Sequence, residues 1–320
     1  MTAETIATNR AKRRPDTLAL VSVAVLTIIV GAALAAPLLT PFGPNDIDLS
    51  NLETVPNGTH LLGTDELGRD VFSRLLYGGR VSVLVGLAAV VVQLVIGITL
   101  GSLAGYWGGA VDGAVMRITE MVMCFPFYAI AICLAALLGA SVWNVILIIG
   151  VLGWTGLARL VRAEMMSVRK REFVQAANIL GVRHLTIVTR HLLPNVIGPI
   201  LVYATLAVAN GILAEAALSF LGLGVKLPEP SWGNMLSAAQ SMRVLGTEPW
   251  LWIPPGVCIV LMVLAINGIG ESLRAHLDPR SHATLNDLRP RRFRFKRQPI
   301  DSRSTAEITT TKESTNAKPH

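Results

Sequence analysis

The hydrophobic positions of this chain come in long uncharged runs, and the lengths of those runs set the first expectation. A helix needs about 20 residues to cross the hydrocarbon of a bilayer, and a charge near its centre costs about 3 kcal/mol. Charge-free windows cover residues 17–45 (29 residues), 81–111 (31), 191–214 (24) and 249–270 (22), and each accommodates one span. A fifth window, 121–158, has 38 residues and is interrupted at Leu138-Gly139-Ala140-Ser141, long for one helix and slightly short for two. Two helices fit if the first begins near Val111. Arg117 and Glu120 then lie in its first turns, three apart on one face, where they can pair near the interface. Six spans result.

Orientation follows from the lysines and arginines on alternate sides of those spans. The side holding both termini carries 23 of them and the opposite side 5; without the C-terminal tail the ratio is still 12 to 5. Both termini and the segment 159–194 are therefore expected in the cytoplasm. The expected fold is an all-α integral membrane protein of about six transmembrane helices, N-in and C-in. It divides into a cytoplasmic tail 1–17, a first span 18–39, an extracytoplasmic loop 40–80, a core 81–280 with five spans, and a basic tail 281–320. The first apolar block, with 22 residues and no small-x-small cleavage site leading into a soluble domain, reads as a retained span and not as a signal peptide.

Composition agrees: 52% hydrophobic, 15% charged and a mean hydropathy of +0.54 leave no soluble arrangement for so much apolar surface. Cys124, Cys133 and Cys258 all fall in apolar stretches and read as packing residues. The tail after residue 280 has too few aliphatic residues for a core of its own, and its run RPRRFRFKR (289–297) reads as an anchor on anionic lipid headgroups in preference to a nucleic-acid site. None of the six lysines follows a glycine, so no Walker-type phosphate loop is present, and HExxH, CxxC and a glycine-flanked nucleophilic serine are missing too. Covalent catalysis by this chain is not expected, and neither a bound cofactor nor a metal.

The most informative stretch is the cytoplasmic segment 164–194. Phe173, Ala176, Ala177 and Leu180 fall at helical spacing, Gly181 suits a left-handed stop, and Leu185, Val188, Leu192 and Leu193 supply a second stripe before Pro194, where the fifth span is expected to begin. The run QAANILGVRHLTIVTRHLLPN (175–195) resembles the EAA loop of ABC importer permeases. Ala176, Ala177, Gly181, Leu193 and Pro194 fall in register, Gln175 stands where the pattern has Glu, and His191 where it has an aliphatic residue. HLLGTDELGRDVFSRLLYGGRVS (60–82), ILAEAALSFLGLGVKLPEPSWGNML (212–236) and LDPR (277–280) are similar to the C-type permease of dipeptide, oligopeptide and nickel importers, so the resemblance spans roughly residues 18–280.

That resemblance implies a type I ABC importer permease in a bacterial inner membrane. It implies a coupling helix at Gln175, Ala176, Ala177, Gly181, His191, Leu193 and Pro194, seated in a groove of a cytosolic ATPase. The implied partners are a second homologous permease, two ATPase subunits or domains that use ATP and Mg, an extracytoplasmic peptide-binding protein, and membrane lipids, with no nucleic acid. Residues 60–82 themselves read as a folded extracytoplasmic loop with Arg and Asp in local ion pairs. Glu215 and Asn210, in the fifth span, either line a substrate path or pair with a polar group of a neighbouring subunit or helix, and the structural role is favoured for both, as for Asn267. Nickel-chelate and glutathione importers share these motifs. An ion-coupled secondary transporter would need more polar groups at the midplane, where only Gln93 and Asn144 are expected.

Overall fold

A computed structural model describes residues 17–277, and every helix or strand among them is helical. The expectations for residues 1–16, for the basic run 289–297 and for the tail 281–320 lie outside the described residues. Helix α1 spans Thr17–Leu34, α2 Val71–Trp107, α3 Gly109–Met123, α4 Phe127–Leu138, α5 Val142–Arg169, α6 Glu172–Ile179, α7 His184–Phe220 and α8 Pro249–Leu277. Short helical turns lie between α1 and α2 and between α7 and α8.

Helix α2 begins ten residues before the charge-free window, inside what the sequence assigns to a loop. Asp70 starts it by accepting from the Ser73 amide at 2.7 Å. The arginines that hid this turn from a charge-based reading are neutralised locally. Arg74 is buried, donates to the Pro44 carbonyl at 3.0 Å and stands 3.6 Å from Asp65, while Arg80 donates to the last carbonyls of α1, Ala33 and Leu34. Arg80 thereby caps one helix from the side of another. Around this turn an Arg–Asp ion pair of the expected kind is present, Asp65 with Arg69 at 2.8 Å, and His60 Nδ1 lies within hydrogen-bond distance of Asp70 at 2.9 Å. A longer tie, Arg243 to Glu53 and to Glu248, joins the two extracytoplasmic segments.

Helices α3 and α4 are separated by Cys124-Phe125-Pro126 and bent by 80°. The Arg117–Glu120 pair forms on α3 at 3.5 Å. The interruption at Gly139, with φ of +81°, separates α4 from α5. Asn144 lies in this turn, donating to the carbonyls of Leu138 and Gly139 at 3.0 Å each, so it closes a loop at the membrane surface and is not a midplane group.

The most extensive helix contact is between α2 and α5, and glycine makes it close. A Cβ on Gly97 would lie 2.8 Å from the Leu157 side chain, on Gly101 2.6 Å from the Ala158 carbonyl oxygen, and on Gly105 2.8 Å from the Arg162 carbonyl oxygen. Four-residue spacing places these glycines on one face. The partners rise in number together, so α2 and α5 run parallel. Since α2 ends on the side where α5 does not begin, the bent pair α3–α4 must carry the chain back across, which makes six spans among the described residues. Helix α7 runs antiparallel to α2, with Gly211 against the Gly86 backbone, and α8 and α1 close the outer side, Gly268 facing Ser22.

Two measurements check this architecture. Gly101→Leu should destabilise the purified protein by about 1–3 kcal/mol or prevent its accumulation, whereas Gly113→Leu, with nothing within 4 Å of its Cβ, should stay near wild type. Equal stability of the two variants would refute the seam. With the three native cysteines replaced, Leu180→Cys should react with an impermeant thiol reagent only from the cytoplasm and Leu61→Cys only from outside; both positions are exposed.

Candidate coupling site

The cytoplasmic end of the seam carries the predicted coupling segment. Helix α5 continues beyond the glycine contacts to Arg169, and the chain reverses through Lys170 and Arg171 into α6. Gly181, at φ +71°, ends α6 in a Schellman arrangement: its amide donates to Asn178 and the Val182 amide to Ala177, both at 3.1 Å. This is the left-handed stop expected from the sequence.

Which face of α6 looks inward differs from the sequence expectation. Val174 and Ala177 are buried, together with Ile187, Val188 and Leu192 of α7, against Val161, Met165 and Val168 of α5. Leu193 packs at the edge of this cluster. Phe173, Ala176 and Leu180, assigned to the same stripe as Ala177, instead face outward with Gln175. A two-residue inward face suffices because α6 is eight residues long and rests only on helix ends. Phe173 is 41% exposed, Ile179 86%, Leu180 80% and Leu185 70%, so four large apolar side chains form a bare pad at the cytoplasmic tip. Gln175 serves locally, donating to the Lys170 carbonyl at 3.1 Å where α5 ends.

Pro194 is exposed and does not begin a helix. Helix α7 runs through it, widened into π geometry over Ile187–Leu192. Proline has no N–H to offer the carbonyl four residues back, and its ring crowds that carbonyl; a wider turn just before it relieves both. Asn195 supplies a side-chain donor to the half-buried His191's carbonyl at 2.6 Å in the same turn. The widening lets one continuous helix of 37 residues reach from the pad into the membrane.

Sequence reasoning missed two contacts near this end of the molecule, one from α2 to the start of α7 and one from α5 to α3. The Tyr106 hydroxyl meets His184 Nδ1 at 2.6 Å with the Arg169 guanidinium 5.8 Å from the Tyr106 ring, and Arg162 makes a two-pronged ion pair with Asp112. Nothing in the spacing of these residues pairs them before the fold is known.

Glu215 stands elsewhere, fully buried in α7. It accepts from the hydroxyls of Ser82 at 2.8 Å and Ser219 at 2.7 Å. Ser82 in turn accepts from the Trp232 amide at 3.1 Å, and Ser219 from the Val225 amide at 3.1 Å. These hydrogen bonds join α2, α7 and the segment after α7, and they fit the structural role favoured for Glu215. Asn210 is exposed and borders an intramembrane cavity, and Asn267 is exposed on α8.

A sequence profile described as the inner membrane component of binding-protein-dependent transport systems matches residues 97–282, and one for the N-terminal transmembrane domain of oligopeptide transport permease C matches 14–56. The chain belongs to the binding-protein-dependent inner-membrane permease family. Within that family it resembles a Brucella suis protein named as a peptide permease, 44% identical over 82% of this chain and 87% of the relative. The Alkalihalophilus pseudofirmus dipeptide transport permease DppC is 40% identical, covering 83% and 87%. The Escherichia coli nickel transport permease NikC is 40% identical, covering 82% and 93%. In fold it matches the methionine ABC transporter MetNI in inward-facing conformations, with a TM-score of 0.53 at 16% identity, over 64% of this chain and 96% of that one. This permease is therefore a multi-pass bacterial inner-membrane protein of the ABC importer class.

The Glu215 network gives a direct test. Glu215→Ala strands the Ser82 and Ser219 hydroxyls in a dry site and should cost about 2–3 kcal/mol by denaturant titration, while Glu215→Gln should recover at least half of that. An alanine variant as stable as wild type would remove the network from the account.

Proposed function

We propose that this permease forms one half of the translocation path of an ATP-driven importer of di- or oligopeptides, and that the pad on α6 and the start of α7 is where a cytosolic ATPase drives it. The observation that carries this reading is the pad itself. Phe173, Ile179, Leu180 and Leu185 stand exposed beyond the membrane, on a tip whose inner face is fully packed. Four large apolar side chains exposed on so short a segment favour a protein partner.

In this reading a second homologous permease completes the pore, two ATPase subunits or domains bind ATP and Mg, and an extracytoplasmic binding protein delivers the peptide. This chain binds neither nucleotide nor metal and supplies motion. Closure of the ATPases on ATP displaces the pad, and the displacement passes to α5 and α7 through the buried cluster at the pad's inner face. The Schellman stop at Gly181 fixes the angle between α6 and α7, so the pad moves as one body. The peptide assignment follows the names of the Brucella and Alkalihalophilus relatives; the nickel permease, at comparable identity, supports a nickel-chelate substrate as the second reading.

Leu180→Asp places a charge where the partner's surface excludes water, and Gly181→Val forces a branched side chain to positive φ. In reconstituted transporter each should lower uptake and substrate-stimulated ATP hydrolysis at least about tenfold, a loss of about 1.4 kcal/mol or more of coupling contact, with insertion and assembly retained. Full transport by both variants would sink the coupling role. Uptake of a labelled nickel chelate that excess dipeptide does not inhibit, with no uptake of labelled dipeptide, would turn the substrate reading to nickel.

A further inference from the structure

The membrane interior contains a second feature that coupling does not use. Where the span formed by α3 and α4 breaks, Tyr128 sits in the first turn of α4 beside a cavity of about 390 Å³, which Gln93 of α2 and Tyr203 and Asn210 of α7 also line. Its size is within the range of pockets that hold small ligands. Four hydrogen-bonding side chains from three helices thus converge at a depth where a polar group facing lipid is costly. Irregular backbone such as the break at Cys124-Phe125-Pro126 is tolerated at that depth only against protein or a water-filled space.

Helix α5 is shaped to keep the cavity open. A Cβ on Gly153 would come within 2.5 Å of Gln93 Nε2, and one on Gly156 within 2.6 Å of the Tyr203 hydroxyl. These two glycines lie one turn apart and make room for two of the four polar groups. Gln93 is anchored by donating to the Ile149 carbonyl at 3.3 Å. Every residue lining the cavity is uncharged, although the polar groups supply both donors and acceptors.

We propose that this cavity is the stretch of the substrate path contributed by this subunit, and that Gln93, Asn210, Tyr128 and Tyr203 hold the neutral main-chain amides of a passing peptide. Such a wall reads the backbone and offers no counter-charge to any side chain. Peptides of different sequence pass with similar contacts, and selection among them is left to the binding protein. The inference rests on the importer reading above, and ATP hydrolysis separates the two. A fault in coupling abolishes substrate-stimulated ATPase activity, whereas a fault in the path leaves hydrolysis running without transport.

The test uses the complete transporter in membranes, with Cys124, Cys133 and Cys258 replaced by serine. Asn210→Cys should react with a small charged methanethiosulfonate reagent, while Leu264→Cys, also exposed but on α8, should not. In reconstituted transporter with a labelled dipeptide, Asn210→Leu, Gln93→Leu and Gly156→Ala should each lower the transport turnover about tenfold with the apparent KM unchanged. ATP hydrolysis should remain stimulated, and Asn210→Gln should restore transport. An unreactive Asn210→Cys would place that face against lipid and overturn the proposal. Wild-type turnover in all three variants would overturn it as well, as would loss of ATPase stimulation together with transport.

Discussion

Inside a bilayer the hydrophobic effect does not draw one helix to another, because lipid tails are as apolar as leucine, and association must come from close packing. The structure rests on the one place where that packing is closest, the parallel contact of α2 and α5 along Gly97, Gly101 and Gly105. There a Cβ on any of the three glycines would meet α5, the Leu157 side chain at Gly97 and backbone carbonyl oxygens at Gly101 and Gly105. Parallel neighbours cannot be joined by a short turn, so the contact also dictates topology: the chain must cross once more between them, and it does so as the broken pair α3–α4.

The same contact organises both ends of the molecule. On the outside, α2 rises past the membrane because Arg74 and Arg80 find carbonyls and a carboxylate instead of lipid, and Arg80 seals the end of α1 in doing so. On the inside, α5 overshoots the seam and becomes the floor on which α6 rests. Glu215 belongs to this scaffold, tying α2 to α7 through serine hydroxyls. A pad held on such a frame cannot be pushed without moving the spans attached to it, which is the mechanical requirement of a subunit driven from outside itself.

Much of this was legible before any coordinates, and the exceptions have physical causes. Charge-free windows found the spans because the cost of burying charge is large and non-specific. The same criterion failed at Val71, where arginines are satisfied by partners distant in sequence. Gly181 was readable because a positive φ leaves few choices of residue. The orientation of α6 was not, since an eight-residue helix carrying apolar groups on several sides does not reveal which side has a floor. Pro126, in Cys124-Phe125-Pro126, is the signal that would have found the break in the third span. Pro194 misled for the opposite reason: a π turn absorbed it and the helix continued. The Tyr106–His184 and Arg162–Asp112 contacts carry no signal in one sequence, because 78 and 50 residues separate the partners.

The central claim is that the outward face of α6 is bound by the subunit that hydrolyses ATP, while its inward face belongs to the permease. Photo-cross-linking from a benzoylphenylalanine placed singly at positions 180 and 177 in membranes holding the whole transporter tests it most directly, because Leu180 is 80% exposed and Ala177 7%. The account predicts an adduct with the ATPase subunit from position 180 and none from position 177. Cross-links from position 180 to lipid or to this chain alone would contradict it.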